Sequence, residues 1–141
     1  MRYLLLLMLV GVSAAVGYAA GNSEHQGERV KLIGGQDIQE KLDGSEAHVS
    51  VVEVTIAPGE NGMPHRHPGP VFGYVLEGDY ELGVDDQPTQ VFHTGETFYE
   101  PTGCLHRVSK NPSTDKPTRL IAVVVHPRDA KELAVPDAKK H

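Results

Sequence analysis

Apolar residues in this chain fall into short runs with a period of two, separated by clusters of glycine, proline and aspartate. In the run 51–56, Val52, Val54 and Ile56 share one face of an extended segment while Glu53 and Thr55 take the other. Pro58, Gly59 and Gly62 then impose a turn. Similar runs at 30–33, 48–56, 71–76, 80–84, 90–93, 97–99 and 119–126 predict an all-β sandwich or barrel. Gly78-Asp79 and Asp85-Asp86 bracket 80–84 as turns bracket a strand of a meander. The stretch from Leu120 to Val125 is wholly apolar, which predicts a central strand covered on both faces. Residues 36–42 fit a helical turn or an irregular strand, 22–28 read as a disordered lead-in, and one helical turn is expected near 129–133.

The N-terminal pattern differs. Met1 and Arg2 precede an unbroken apolar run from Tyr3 to Val10, continued by small residues to Ala20. This predicts a secretory signal peptide over 1–20, with small-x-small cleavage sites at Gly17 and Ala19 or at Ser13 and Ala15. The run is shorter than the roughly 20 residues of a spanning helix, so no membrane span is expected in the mature form. An exported chain, periplasmic or secreted, follows. Its length of about 120 residues suits one domain. The full chain carries 13 Lys and Arg against 19 Asp and Glu, a net charge of −6, and loss of Arg2 makes it −7. An acidic balance argues against nucleic acid as a partner. Cys104 is the only cysteine, so the core must hold the fold without an internal disulfide, and a small buried thiol is expected.

Chemistry concentrates in the histidines. His65 and His67 are separated by one residue, so on an extended strand both imidazoles leave the same face with Cα atoms roughly 6–7 Å apart. His106 follows a strand and a tight turn at Pro101-Thr102-Gly103, and completes a three-imidazole site if that strand runs beside the first. Val71, Gly73 and Val75 share the inward face by alternation, with Gly73 expected to open a pocket. Phe72, Tyr74 and Phe98 are expected in the barrel wall. Of Tyr99 and Glu100, one should point inward as a candidate catalytic group; exposure is the expectation for Glu100, because unpaired acids are seldom buried. His25, His48, His93, His126 and His141 are not expected to ligate.

These residues carry a resemblance to the cupins, whose motifs have the forms G-x5-H-x-H-x3-E-x6-G and G-x5-P-x-G-x2-H-x3-N. Gly59, His65, His67 and Gly78 match the first, and Gly95, Pro101, Gly103 and His106 match the second. The motif glutamate falls on Val71 and the final asparagine on Lys110, with Asn111 one place late. The resemblance implies a single cupin barrel of jelly-roll type over 34–127, with 21–33 as lead-in and first strand and 128–141 as a charged tail.

It also implies one divalent transition metal, Fe, Mn, Zn, Cu or Ni, on His65, His67 and His106. Three protein ligands leave positions open, which is a catalytic rather than a structural geometry. Three functions follow from it: a dioxygenase-type oxidoreductase on a small organic substrate, which is the leading expectation; a small-molecule binding or sensing module; and an isomerase or lyase with Glu100 or Tyr99 as base. A homodimer through an edge strand fits an open barrel.

Overall fold

A computed structural model describes residues 23–25 and 27–137, so the signal-peptide segment lies outside the described residues. The strands are β1 (Ser23–His25), β2 (Glu28–Leu42), β3 (Ser45–Ile56), β4 (His65–Arg66), β5 (Val71–Glu77), β6 (Asp79–Val84), β7 (Gln90–His93), β8 (Thr97–Glu100), β9 (Leu105–Lys110), β10 (Thr118–Pro127) and β11 (Val135–Pro136). They form two antiparallel sheets, one in the order β1-β2-β3-β10-β5-β8 and one in the order β11-β4-β9-β6-β7. No helix occurs among the described residues.

The alternation read from the sequence sets the core. Val52 and Ile56 of β3, Val71 and Val75 of β5 and Val124 of β10 meet Tyr80 and Leu82 of the second sheet in one buried cluster. Each aliphatic side chain removed from water in this way contributes about 1.5–3 kcal/mol. Gly73 is inward as expected, but it opens no pocket. A Cβ at that position would lie 1.9 Å from the Phe98 ring, so the glycine makes room for Phe98 and the ring fills the space.

Several expectations need correction. The lead-in contributes β1 and the start of β2 rather than disorder; for 36–42, of the two alternatives left open, the irregular strand is the one formed, with register shifts between Leu32 and Gly34 and between Asp37 and Lys41. Strand β10 is central, lying between β3 and β5, yet only one face is buried; its outer face alternates to half-exposed positions. Phe98 is a wall residue, whereas Phe72 and Tyr74 stand outside, 53% and 45% exposed. The segment near 129–133 forms a turn and bends rather than a helical turn, and the tail returns to the barrel through β11.

Candidate metal centre

Strand pairing brings two of the three histidines together. His65 on β4 is the direct cross-strand partner of His106 on β9. His67 follows β4 and leads into Pro68-Gly69-Pro70, a loop pressed against β10 so closely that a Cβ at Gly69 would lie 1.7 Å from the Val125 carbonyl oxygen. Its own carbonyl accepts from the Gly103 amide at 3.1 Å, which ties it to the turn before β9.

Hydrogen bonds turn the rings. Nδ1 of His65 lies 2.8 Å from the Met63 carbonyl and Nδ1 of His67 lies 2.6 Å from the Leu133 carbonyl. A carbonyl only accepts, so both Nδ1 atoms carry the proton and both Nε2 lone pairs are left for the centre. Those two Nε2 atoms are 3.0 Å apart. One nitrogen from each of His65, His67 and His106 lies within 4.8 Å of the others.

Glu100 corrects the expectation of exposure. It is 2% exposed, and its Oε2 lies 3.2 Å from His106 Nδ1 and 3.7 Å from His67 Nε2. Its position follows from register: Glu100 on β8 is the cross-strand partner of Val71 on β5, where the cupin motif has its glutamate. A carboxyl group thus reaches the same inward face from the neighbouring strand. Tyr99 alternates to the outside, 54% exposed with its ring 5.3 Å from that of Phe72, and takes no part in the site.

Among the described residues, Glu100 Oε2 and His106 Nδ1 are the buried side-chain atoms with no hydrogen-bond partner. Orphaned buried polar atoms are costly. With one nitrogen of His106, the two facing imidazole lone pairs form a donor set that fits a divalent cation, and Glu100 Oε2 lies beside it. Protonation favours the same state. Burial, and then the charge of His65, pushes the His67 pKa down to about 4, and His106 is driven well below its ordinary value by burial first and by His65 and His67 after it. Both rings are therefore neutral near pH 7, as ligation requires. Burial, with a smaller contribution from Glu28, pushes Glu100 up to about 8.

The site opens into a cavity of about 490 Å³ with a largely apolar lining that includes Val52, Val71, Leu120 and Val124. Sequence reasoning missed four of its contributors. Glu28 is buried at the start of β2 with its pKa raised by burial to about 6, and Tyr80 and Ser109 are buried beside it. Leu133 is the fourth, supplied by the segment read as a tail. Tyr80 could have been found from the alternation of 80–84; nothing local marks the others. Cys104 is buried as expected, and burial raises its thiol pKa to about 11, away from reactivity. Two histidines outside the motifs are engaged elsewhere, His93 with Asp79 at 2.8 Å and buried His126 with Ser50 at 2.9 Å.

A family model described as the cupin domain matches residues 52–124. No curated protein matches the chain. Solved structures share the fold. A DMSP lyase, DddQ from Ruegeria pomeroyi DSS-3, is 18% identical with a TM-score of 0.55 over 66% of this chain and 45% of that one. KdgF from Halomonas sp. is 21% identical with a TM-score of 0.55 over 73% and 82%. Oxalate decarboxylase from Bacillus subtilis is 16% identical with a TM-score of 0.62 over 84% and 30%. The chain therefore spans less than half the length of the lyase and under a third of the decarboxylase. At these identities the likeness is one of fold.

Proposed function

The chain belongs to the cupin domain family, and from that premise we propose that it is a metal-dependent enzyme. In this reading His65, His67 and His106 hold one divalent ion, and Glu100 exchanges a proton with a small, largely apolar substrate. The observation that carries this reading is the place of Glu100, buried with its Oε2 3.2 Å from His106 Nδ1 and lining the cavity. A carboxylate within reach of a bound substrate can take and return a proton. An ion held by the imidazoles would act as a Lewis acid on a substrate oxygen. Aliphatic walls would exclude water and select the apolar part of the substrate. Lyase or isomerase chemistry, beginning with removal of a proton next to a carbonyl, is what this set performs. The leader over 1–20 makes the enzyme an exported one in this reading.

The test is exchange of such protons for deuterium in zinc- or manganese-loaded protein, across small ketones, keto acids and enols. Glu100→Gln should lower exchange by about 100-fold or more while zinc is still bound. Exchange unaffected by the substitution would remove Glu100 as the base.

A dioxygenase is the second reading, favoured by three neutral imidazoles beside an apolar cavity. It expects the ferrous protein to consume oxygen with a chelating substrate, and it expects that uptake to survive Glu100→Gln.

A further inference from the structure

We propose that Glu28, with Ser109 and Tyr80, forms a cation subsite in the cavity, and that the substrate is a small carbonyl compound carrying a protonated amine on a short hydrocarbon chain. The substrate class rests on the reading of the three histidines as metal ligands, which fixes where the reacting carbonyl lies. A task is thereby given to a buried carboxylate that the proposed chemistry leaves unused.

Glu28 stands where alternation calls for an aliphatic side chain. Strand β2 turns Glu28, Val30 and Leu32 toward the cavity, and Val30 and Leu32 pair with Val54 and Val52 of β3, which line it too. An acid on such a face is a fault in a fold unless it has a partner or a task. The partner is incomplete. Glu28 is 8% exposed, and the Ser109 hydroxyl donates to its Oε1. Among the side chains described, none donates to Oε2 and no cation pairs with the carboxylate. Gly62 leaves room for the group, since a Cβ there would lie 2.3 Å from it.

The charges around the cavity decide what can complete this site. Glu28 and Glu100 both line it, whereas the one lysine or arginine among the described lining residues is Lys131, exposed beside exposed Glu132. An anionic substrate would meet two carboxyl groups and no buried cation. A neutral one would leave Glu28 without a counter-charge. An ammonium group offers donors and no acceptor, and the oxygens of Glu28, Ser109 and Tyr80 stand in a row to receive them, with Tyr80 Oη 3.2 Å from Ser109 Oγ. Bonds from such a donor to a carboxylate are of the stronger, charge-assisted kind. Although burial raises its pKa to about 6, Glu28 is chiefly ionised at pH 7.5. The carboxylate is already out of bulk water before any ligand arrives, so on binding the desolvation cost falls chiefly on the ligand. The same row sets the length of the substrate. Tyr80 Oη is 3.1 Å from His106 Nε2, so the subsite begins one hydrogen bond from an imidazole of the metal centre, and only a few carbon atoms separate carbonyl from ammonium. Val30, Leu32 and Val54 cover that hydrocarbon.

The experiment titrates wild type, Glu28→Gln and Ser109→Ala with n-butylammonium, butan-1-ol and butanoate at pH 7.5, each protein zinc-loaded and metal-free, and follows amide NMR shifts. Wild type should bind butylammonium about tenfold or more tighter than butanol, with butanoate weakest and the largest shifts at Gly62 and Ser109. Glu28→Gln should bring butylammonium to the level of butanol and leave butanol unchanged. Ser109→Ala keeps the carboxylate and should keep the preference. Zinc should not alter it, because the amine sits on Glu28 and not on the ion. Amide spectra without ligand establish that each protein is folded. If Glu28→Gln is not, Glu28→Asp decides: a carboxylate drawn back by one methylene should lower butylammonium affinity about threefold or more with butanol unchanged. No preference for butylammonium in wild type, a preference that survives Glu28→Gln, or one seen only with zinc would overturn the subsite and leave the metal centre intact. A wild type that shows the preference and binds no zinc would remove the metal reading and leave the cation subsite.

Discussion

Two carboxyl groups, Glu28 and Glu100, are buried in a protein whose cavity is mostly hydrocarbon, and both are held above their ordinary pKa by burial. Such a group binds its proton more tightly in the folded chain than in the unfolded one. For Glu28, raised from 4.5 to about 6, the stabilisation is full below pH 4.5 and is lost as pH rises through about 6. The difference corresponds to about 2 kcal/mol. Metal-free Glu28→Gln should therefore gain stability over wild type at pH 7.5 relative to pH 4.5 by about that amount, measured by urea unfolding at each pH. Buried His67 and His106 act in the reverse sense, losing stability as pH falls below 6.5, but they are common to both proteins and cancel in the comparison. An equal difference between the two proteins at both pH values would show that burial does not raise the Glu28 pKa.

At the level of strands, register explains both what the sequence made legible and what it hid. Val71 and Glu100 are cross-strand partners, so Val71→Glu alone would set two carboxyl groups against each other. The metal-free variant should lose about 2 kcal/mol or more in urea unfolding. The double variant Val71→Glu with Glu100→Gln should recover that loss and bind manganese at least as tightly as wild type, read by calorimetry; failure to recover would show that the two positions are not equivalent. The paired histidines were readable because one intervening residue on extended backbone leaves no choice of face. Alternation also established that either Tyr99 or Glu100 points inward. The general rarity of buried acids favoured exposing Glu100, and the Phe98 ring, seated over Gly73, decided otherwise by taking the inward position two residues earlier. Ser109 was hidden by a bulge. Val84 pairs with His106 and Gly83 with Val108, so Arg107 is an extra residue and the inward positions after it become Ser109 and Asn111. The same bulge accounts for the asparagine one place late in the motif: Asn111 is fully buried, donating to the carbonyls of Ile56, Ala57 and Lys116.

For the molecule as a whole, the least expected feature is the strap formed by residues 131–136, which lines the cavity and supplies the carbonyl that orients His67. It is held by the pairing of Val135 with Arg66 and of Pro136 with His65, by the Asp137 amide on the Pro64 carbonyl at 3.0 Å, and by an Arg66 to Asp137 ion pair at 3.5 Å. Removal of residues 131–141 takes away the edge strand β11, should leave the other strands of both sheets folded, and should lower zinc affinity about tenfold or more, because His67 would lose the acceptor that selects its tautomer. Circular dichroism and a chelator titration would check the two halves of that statement, and undiminished affinity would exclude a role for the strap. Its place in chain order has a further consequence. Every described strand except β11 precedes Leu133, so a growing chain can pair the other strands of both sheets and possess all three histidines before it can hold His67 in the ligating form. The acceptor that orients His67 is then among the last parts of the chain to be made, so tight capture of an ion is expected only once the strap has closed.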